Sequence, residues 1–184
     1  MSQKDVYEKC PTYQKGAIVL RHTTSKDAEE LLKCYSDEKS VPLFNADNCF
    51  SDFHYTTLDQ VKDLIARWND AYRHKGFVRW TIIQNDSNLK VGTVEMFNKG
   101  VLPDAGSYGI LRIDLRSEFE NSLIIRRILQ IANRHFYQNF NVITILTKAI
   151  PEAKERILTL SEMGYVPFQF EKGRYYSRRD ECAA

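Results

Sequence analysis

The chain has 184 residues, a net charge of +2, 43% hydrophobic residues and 27% charged residues. That length suits one domain with a sizeable core, and near-neutral charge gives no electrostatic footprint for nucleic acid. No apolar run approaches the roughly 20 residues that span a bilayer, which argues against a membrane protein.

Residues 1–16, MSQKDVYEKCPTYQKG, are polar, lack the apolar segment of a signal peptide and read as a loose leader. Cys10, Cys34, Cys49 and Cys182 are far apart and form no C-x-x-C pair. Reduced thiols in the cytoplasm are therefore expected, with no metal site. His22, His54, His74 and His135 also lack ligand spacing.

Ala17 to Arg21 reads as a strand. Thr24 is placed to cap a helix, with Asp27 at the positive end of its dipole and Ala28, Leu31, Leu32 and Tyr35 as its apolar stripe. An irregular stretch follows, rich in rings: Phe44, Phe50, Phe53, His54 and Tyr55. Thr57 and Gln60 then form a capping-box pattern ahead of a second helix, which Gly76 closes.

Phe77 to Gln84 and Leu89 to Phe97 flank a polar turn of hairpin type, and Gly100 to Gly106 reads as a loop. Tyr108 to Leu115 alternates aliphatic residues with Arg112 and Asp114, as a strand does. A polar turn leads into a helix whose stripe carries Ile124, Ile128, Ile131 and His135. Strand, turn and helix together set unpaired helix N–H groups at a strand end, where an anion can be held. Val142 to Leu146 is the returning strand, Pro151 suits the first position of a last helix, and Val166 to Phe170 with Arg174 to Ser177 form a final hairpin about residues 171–173. The order is β-α-α-β-β-β-α-β-α-β-β: one mixed α/β domain over residues 1–184, with 178–184 as a tail.

Three pieces in that order carry a resemblance. They are IVLRHTTSKDAEELLKCYSD, the pair VGTVEMF and YGILRIDLRSEF, and IPEAKERILTLSEMGY. From about Ala17 to Tyr176 the chain resembles the GNAT superfamily of acyl-CoA-dependent N-acetyltransferases, most closely the branch of ribosomal-protein N-terminal acetyltransferases. The resemblance implies a mostly antiparallel seven-stranded sheet, about four helices, and a sheet that splays open between its fourth and fifth strands. It implies acetyl-CoA as co-substrate, its pantetheine on backbone groups of Ile113 and Leu115 and its pyrophosphate on the loop at Asn121, Ser122 and Leu123.

The chain departs from the family's Gln/Arg-x-x-Gly-x-Gly/Ala loop. Glu120 stands where a basic or amide residue is expected, and Leu123 and Ile125 stand at the small-residue positions. In the last helix the family's Asn is matched by Ala153, its Ser by Arg156 and its tyrosine acid by Leu160. Two accounts follow. In one, backbone contacts suffice for the cofactor, with Arg126 and Arg127 replacing the lost donors. In the other, the fold has lost acyl-CoA and serves as a binding or dimerisation module through the Phe44–Tyr55 segment.

Acetyl transfer needs a base for the amine, a polarised thioester carbonyl and a proton for the leaving thiolate. Glu95 and Asp114, carboxylates within apolar strands, are the candidate bases, against a plainer reading in which they pair with a residue such as Arg112. Tyr108 is a candidate proton donor, with Tyr165 also in reach. A backbone N–H near Ile113 would polarise the carbonyl. Phe44, Phe53 and Tyr55 would wall the acceptor, a small-molecule or peptide amine; a homodimer stays open. The basic and aromatic run from 172 to 179 reads as a charge-protected edge strand before a nucleic-acid contact.

Overall fold

In the computed structural model, which describes residues 5–171 and 173–182, eight strands form one sheet. The strands are β1 (Tyr13–Lys15), β2 (Ile18–His22), β3 (Val78–Gln84), β4 (Leu89–Leu102), β5 (Gly106–Leu115), β6 (Thr144–Lys148), β7 (Val166–Phe170) and β8 (Gly173–Arg179). Their spatial order is β1-β2-β3-β4-β5-β6-β8-β7, and every pair is antiparallel except β5 with β6. The helices are α1 (Ala28–Tyr35), α2 (Leu58–Arg73), α3 (Ser122–Phe140) and α4 (Lys154–Glu162).

The period-2 alternation of the central strands builds two unlike faces. Val78, Trp80, Ile82, Val94, Met96, Leu111, Ile113 and Leu115 share one apolar core with Ile124, Ile125, Ile128 and Phe136 of α3. The intervening residues, Arg79, Thr81, Thr93, Glu95 and Asp114, are buried and polar. Tyr35, Trp68, Phe44 and Phe53 form a separate core in the α1–α2 layer.

Local signals act as the sequence implies. Gln60 N–H donates to Thr57 Oγ1 at 3.4 Å while Thr57 N–H donates to Gln60 Oε1 at 3.1 Å, closing the box at the start of α2. Thr24 N–H donates to Asp27 Oδ2 at 2.8 Å, although the segment Ser25–Asp27 is a 3-10 turn and α1 proper starts after it.

Several boundaries differ from expectation. The eighth strand is β1, inside the presumed leader. Val6 and Tyr13 are buried, Pro11 C=O accepts from Trp80 Nε1 at 2.9 Å, and the Tyr13 ring stacks on His135 at 4.8 Å. Residues 5–15 thus cover one end of α3 and β3. Local composition hid this, because only one residue in two or three of the segment faces the core. Gly100 to Leu102 pair with Gly106 to Tyr108, which extends the β4–β5 hairpin through the presumed loop. The strand placed at Val142 begins two residues later, and α4 begins at Lys154, beyond Pro151. The tail is shortened too: Arg178 and Arg179 belong to β8, where Arg178 Nε donates to Met163 C=O at 3.1 Å. Lys172, counted in the expected turn of the last hairpin, lies outside the described residues.

Replacing Tyr13 with Ala is expected to lower unfolding stability by about 3 kcal/mol, the scale of a buried ring lost from a core. Urea denaturation measures this; a change within roughly 0.5 kcal/mol, typical of an exposed position, would return the segment to a loose leader.

Candidate active site

The candidate site begins with a charged row across the polar face of the sheet. Strand register sets Arg79 opposite Glu95, and Glu95 opposite Arg112. The next row sets Thr81, Thr93 and Asp114 side by side. Arg79 bonds Glu95 Oε2 through Nε (3.1 Å) and Nη2, and reaches Asp114 Oδ2 through Nη1 at 2.9 Å. Arg112 Nη1 takes the other Glu95 oxygen at 2.7 Å. Tyr35 of α1 donates to Asp114 at 3.0 Å, and the Arg79 guanidinium lies 4.1 Å over the Trp68 ring.

These contacts shift the titration of Arg79 and Tyr35. Burial opposes the Arg79 charge most strongly, but attraction from Glu95, Tyr35 and Asp114 together outweighs it and raises the pKa. Burial, then the Asp114 charge, pushes the Tyr35 hydroxyl well above the usual phenol range. The two candidate bases are therefore held in arginine pairs, both buried. The pairing expected with Arg112 holds for Glu95, while Asp114 takes Arg79 instead.

The second feature is a gap in the sheet. β6 pairs with β5 from Tyr108 to Leu111 while its other edge pairs with β8 along its whole length; past Lys148 the chain stays with β8, Ala149 N–H donating to Arg174 C=O, and β5 runs on to Leu115 without it. Arg116 N–H donates to Val91 C=O, so alternation turns the even residues at the end of β5 toward β4. Ile113 and Leu115 face the side that β6 has left. At the same end, a Cβ on Gly92 would lie 1.9 Å from the Asp114 carbonyl oxygen, so only glycine permits this approach of β4 to β5.

Around the gap the sequence-predicted residues divide. Asn121 caps α3, its side chain accepting from Ile124 N–H at 3.2 Å. Ser122 is at the helix start, but its N–H (3.2 Å) and hydroxyl both donate to Glu155 of α4. Leu123 is 64% exposed and does not enter the gap. Arg126 pairs with Glu162, and Arg127 packs against Gly16 and, with Glu118, Asn121, Leu123 and Ile124, lines a cavity at the start of α3. Tyr108 sits at the closed end of the gap, packed on Phe170, about 17 Å along the strand from Ile113. Its pKa is raised by burial and by the Glu171 charge. Tyr165 is buried and donates to Asn133.

Phe44 and Phe53 do not wall an open acceptor site. Both are buried around Tyr35, at ring separations of 5.5 and 6.2 Å, with half-buried Tyr55 at 6.3 Å. What faces the gap on that side is a strap, residues 41–48. Arg112 Nη2 donates to Asp47 C=O at 2.8 Å, the Asp47 carboxylate takes Lys148 and the Tyr175 hydroxyl, and Asn45 also meets Tyr175.

Sequence reasoning passed over Arg79 and Asp37, and it read Arg156 only as a departure from the family's Ser. Arg156, 2% exposed in its side chain, makes a bidentate pair with Glu120, both bonds 2.7 Å. Its signal was present: an arginine on the same helix stripe as Ala153 and Leu160, where an apolar residue is expected. Asp37, just past α1, accepts from Ser117 N–H at 2.8 Å and so pins the turn between β5 and α3.

Comparison with known proteins comes to the same fold. The family model of the acetyltransferase (GNAT) domain matches residues 17–163. An uncharacterized N-acetyltransferase YoaA of Bacillus subtilis is 25% identical over 84 residues, which are 46% of this chain and 44% of that protein. The alignment thus spans less than half the length of that relative. Among solved structures, the ribosomal-protein-S5-alanine acetyltransferase of Vibrio fischeri superposes with a TM-score of 0.71 at 15% identity, over 94% of this chain and 98% of that one. Mycobacterium smegmatis RimJ in complex with CoA-disulfide gives 0.71 at 13% identity, over 89% and 82%.

Two outcomes are expected from this geometry. Arg79→Met strands the buried Asp114 carboxylate, leaves Glu95 with Arg112 alone, and should reduce stability by about 3–5 kcal/mol in urea denaturation. Asp37 is held at about 2, below its ordinary 3.8: burial works against this, and hydrogen bonds led by Ser117 N–H outweigh it. Its contribution, on the order of 1 kcal/mol after allowing for exposure, is full above pH 3.8 and is lost as pH falls through about 2. Asp37→Asn should flatten that part of the acid limb in a pH series of urea melts.

Proposed function

The chain belongs to the GNAT acetyltransferase family, and we propose that it transfers an acetyl group from acetyl-CoA to a primary amine by direct attack. The observation that carries this reading is the departure of β6 from β5 after Leu111, beside Ile113 and Leu115. An extended pantetheine arm carries amides that pair with such an edge as an added strand would. A backbone N–H on the same edge can polarise the thioester carbonyl and stabilise the oxyanion that develops on attack. The amine nitrogen forms the new C–N bond, the C–S bond breaks, and the thiolate leaves with a proton.

We assign relay of the amine's proton to Glu95 rather than Asp114. Glu95 bonds Arg112, whose guanidinium reaches the strap at Asp47, whereas Asp114 is enclosed by Tyr35, Thr93 and Arg79. The acceptor is taken to be a small-molecule or peptide amine. In support, a cavity of about 380 Å³ beside the strap is lined by Asp47, Asn48, Lys148, Glu171 and Gly173; Asp47 already holds Lys148, and the Glu171 carboxylate, bonded to the neutral Asn48 amide, suits an ammonium group.

One observation favours a second reading, a fold that binds no acyl-CoA and serves as a binding or dimerisation module. The start of α3, where an anion would sit, already holds the Glu155 carboxylate.

Calorimetric titration with acetyl-CoA, followed by thiol release with amine acceptors, separates the two. Saturable binding and acceptor-dependent thiol release are expected; neither signal, from protein that melts cooperatively, would leave the module reading standing. Glu95→Gln should lower kcat about a hundredfold with KM for acetyl-CoA unchanged, the scale of a lost general base. An undiminished kcat would remove Glu95 from the mechanism.

A further inference from the structure

The gap is bridged by the protein's own side chains, and one of them touches both of its sides. Arg156 Nε and Nη2 hold the two oxygens of Glu120, in the turn from β5 to α3, while Nη1 donates to Leu43 C=O in the strap at 3.1 Å. The turn is where the cofactor's anionic portion is expected, and the strap lies on the acceptor side. Next to Arg156 on α4, Glu155 holds the first N–H of α3. A guanidinium fork and a helix start are the donors that phosphate groups favour, and here both are taken by carboxylates.

We propose that Arg156 is a latch coupling the two sides of the cleft, so that acyl-CoA entering beside β5 draws the guanidinium from Glu120 and thereby frees the strap at Leu43. The guanidinium is planar and rigid, and its three bonds come from three nitrogens of one plane. It cannot turn to follow a new anion and keep its bond to Leu43. Acceptor access then follows acyl-CoA entry, an ordered sequence set by one side chain. The choice of acyl-CoA as the trigger rests on the function proposed above; the mechanical link from Arg156 to the strap does not.

Amide hydrogen exchange of residues 41–48 tests it in the full chain. The double variant Glu120→Gln with Arg156→Gln removes the latch without leaving a lone buried charge, and should raise exchange in 41–48 about tenfold with β4 and β5 unchanged. Arg156→Lys keeps an ion pair with Glu120 but, with a single ammonium, cannot also hold Leu43 in that plane; it should give the same local rise. Wild-type exchange in 41–48 for Arg156→Lys overturns the latch, as does a rise spread evenly over the sheet. In the wild type, saturating acetyl-CoA should reproduce the local rise; bound acetyl-CoA with no rise also overturns it. If the variants open the strap while the wild type shows no calorimetric binding of acetyl-CoA, the latch stands and the acyl-CoA reading falls.

Discussion

Everything on the α1–α2 side of this sheet is arranged about one buried guanidinium. Arg79 sits with 2% of its side chain exposed between Glu95 and Asp114, under the ring of Trp68. A charge taken out of water is tolerated when opposite charges and hydrogen bonds surround it, and any member removed alone leaves the others uncompensated. Arg79 therefore fixes the register of β3, β4 and β5 and, through Tyr35, the seat of α1. The α3 side needs no such device, because its face of the same strands is apolar and packs by area alone.

The same row limits what the candidate bases can do. Both oxygens of Glu95 are already taken by arginine bonds, so a partner must shift before Glu95 serves an amine. Arg112 is the partner that can convey such a shift, because it bonds both Glu95 and the strap. Chemistry and loop position are thus linked through short, named contacts rather than through the fold at large. A TM-score near 0.7 with solved acetyltransferases at 13–15% identity speaks for the architecture; these side chains belong to this chain.

The departures from the family's loop also find a common physical explanation. Glu120 and Arg156 looked like two independent losses in sequence, one anionic residue where a donor was expected and one large cation where a small hydroxyl was expected. In space they are a single bidentate pair. Each would be destabilising alone at that burial; together they satisfy one another.

How much of this was legible follows from range. The capping box at Thr57, the alternation in β3 to β5 and the stripe of α3 depend on neighbours within a turn or a strand, and each is readable along the chain. The end of the sheet's pairing at Leu111 was available only through resemblance, since no residue near Leu111 marks it; the chain after Lys148 stays with β8 while β5 runs on, and that decides it. Residues 5–15 looked loose because their partners, Trp80 and His135, lie far along the chain. By itself the sequence determined the kinds of element, their order and the faces they bury, because those rest on local periodicity. Which carboxylate meets which arginine, and that Arg156 joins the strap to the turn between β5 and α3, only the tertiary structure decided, because charge pairing depends on distances that separation along the chain does not encode.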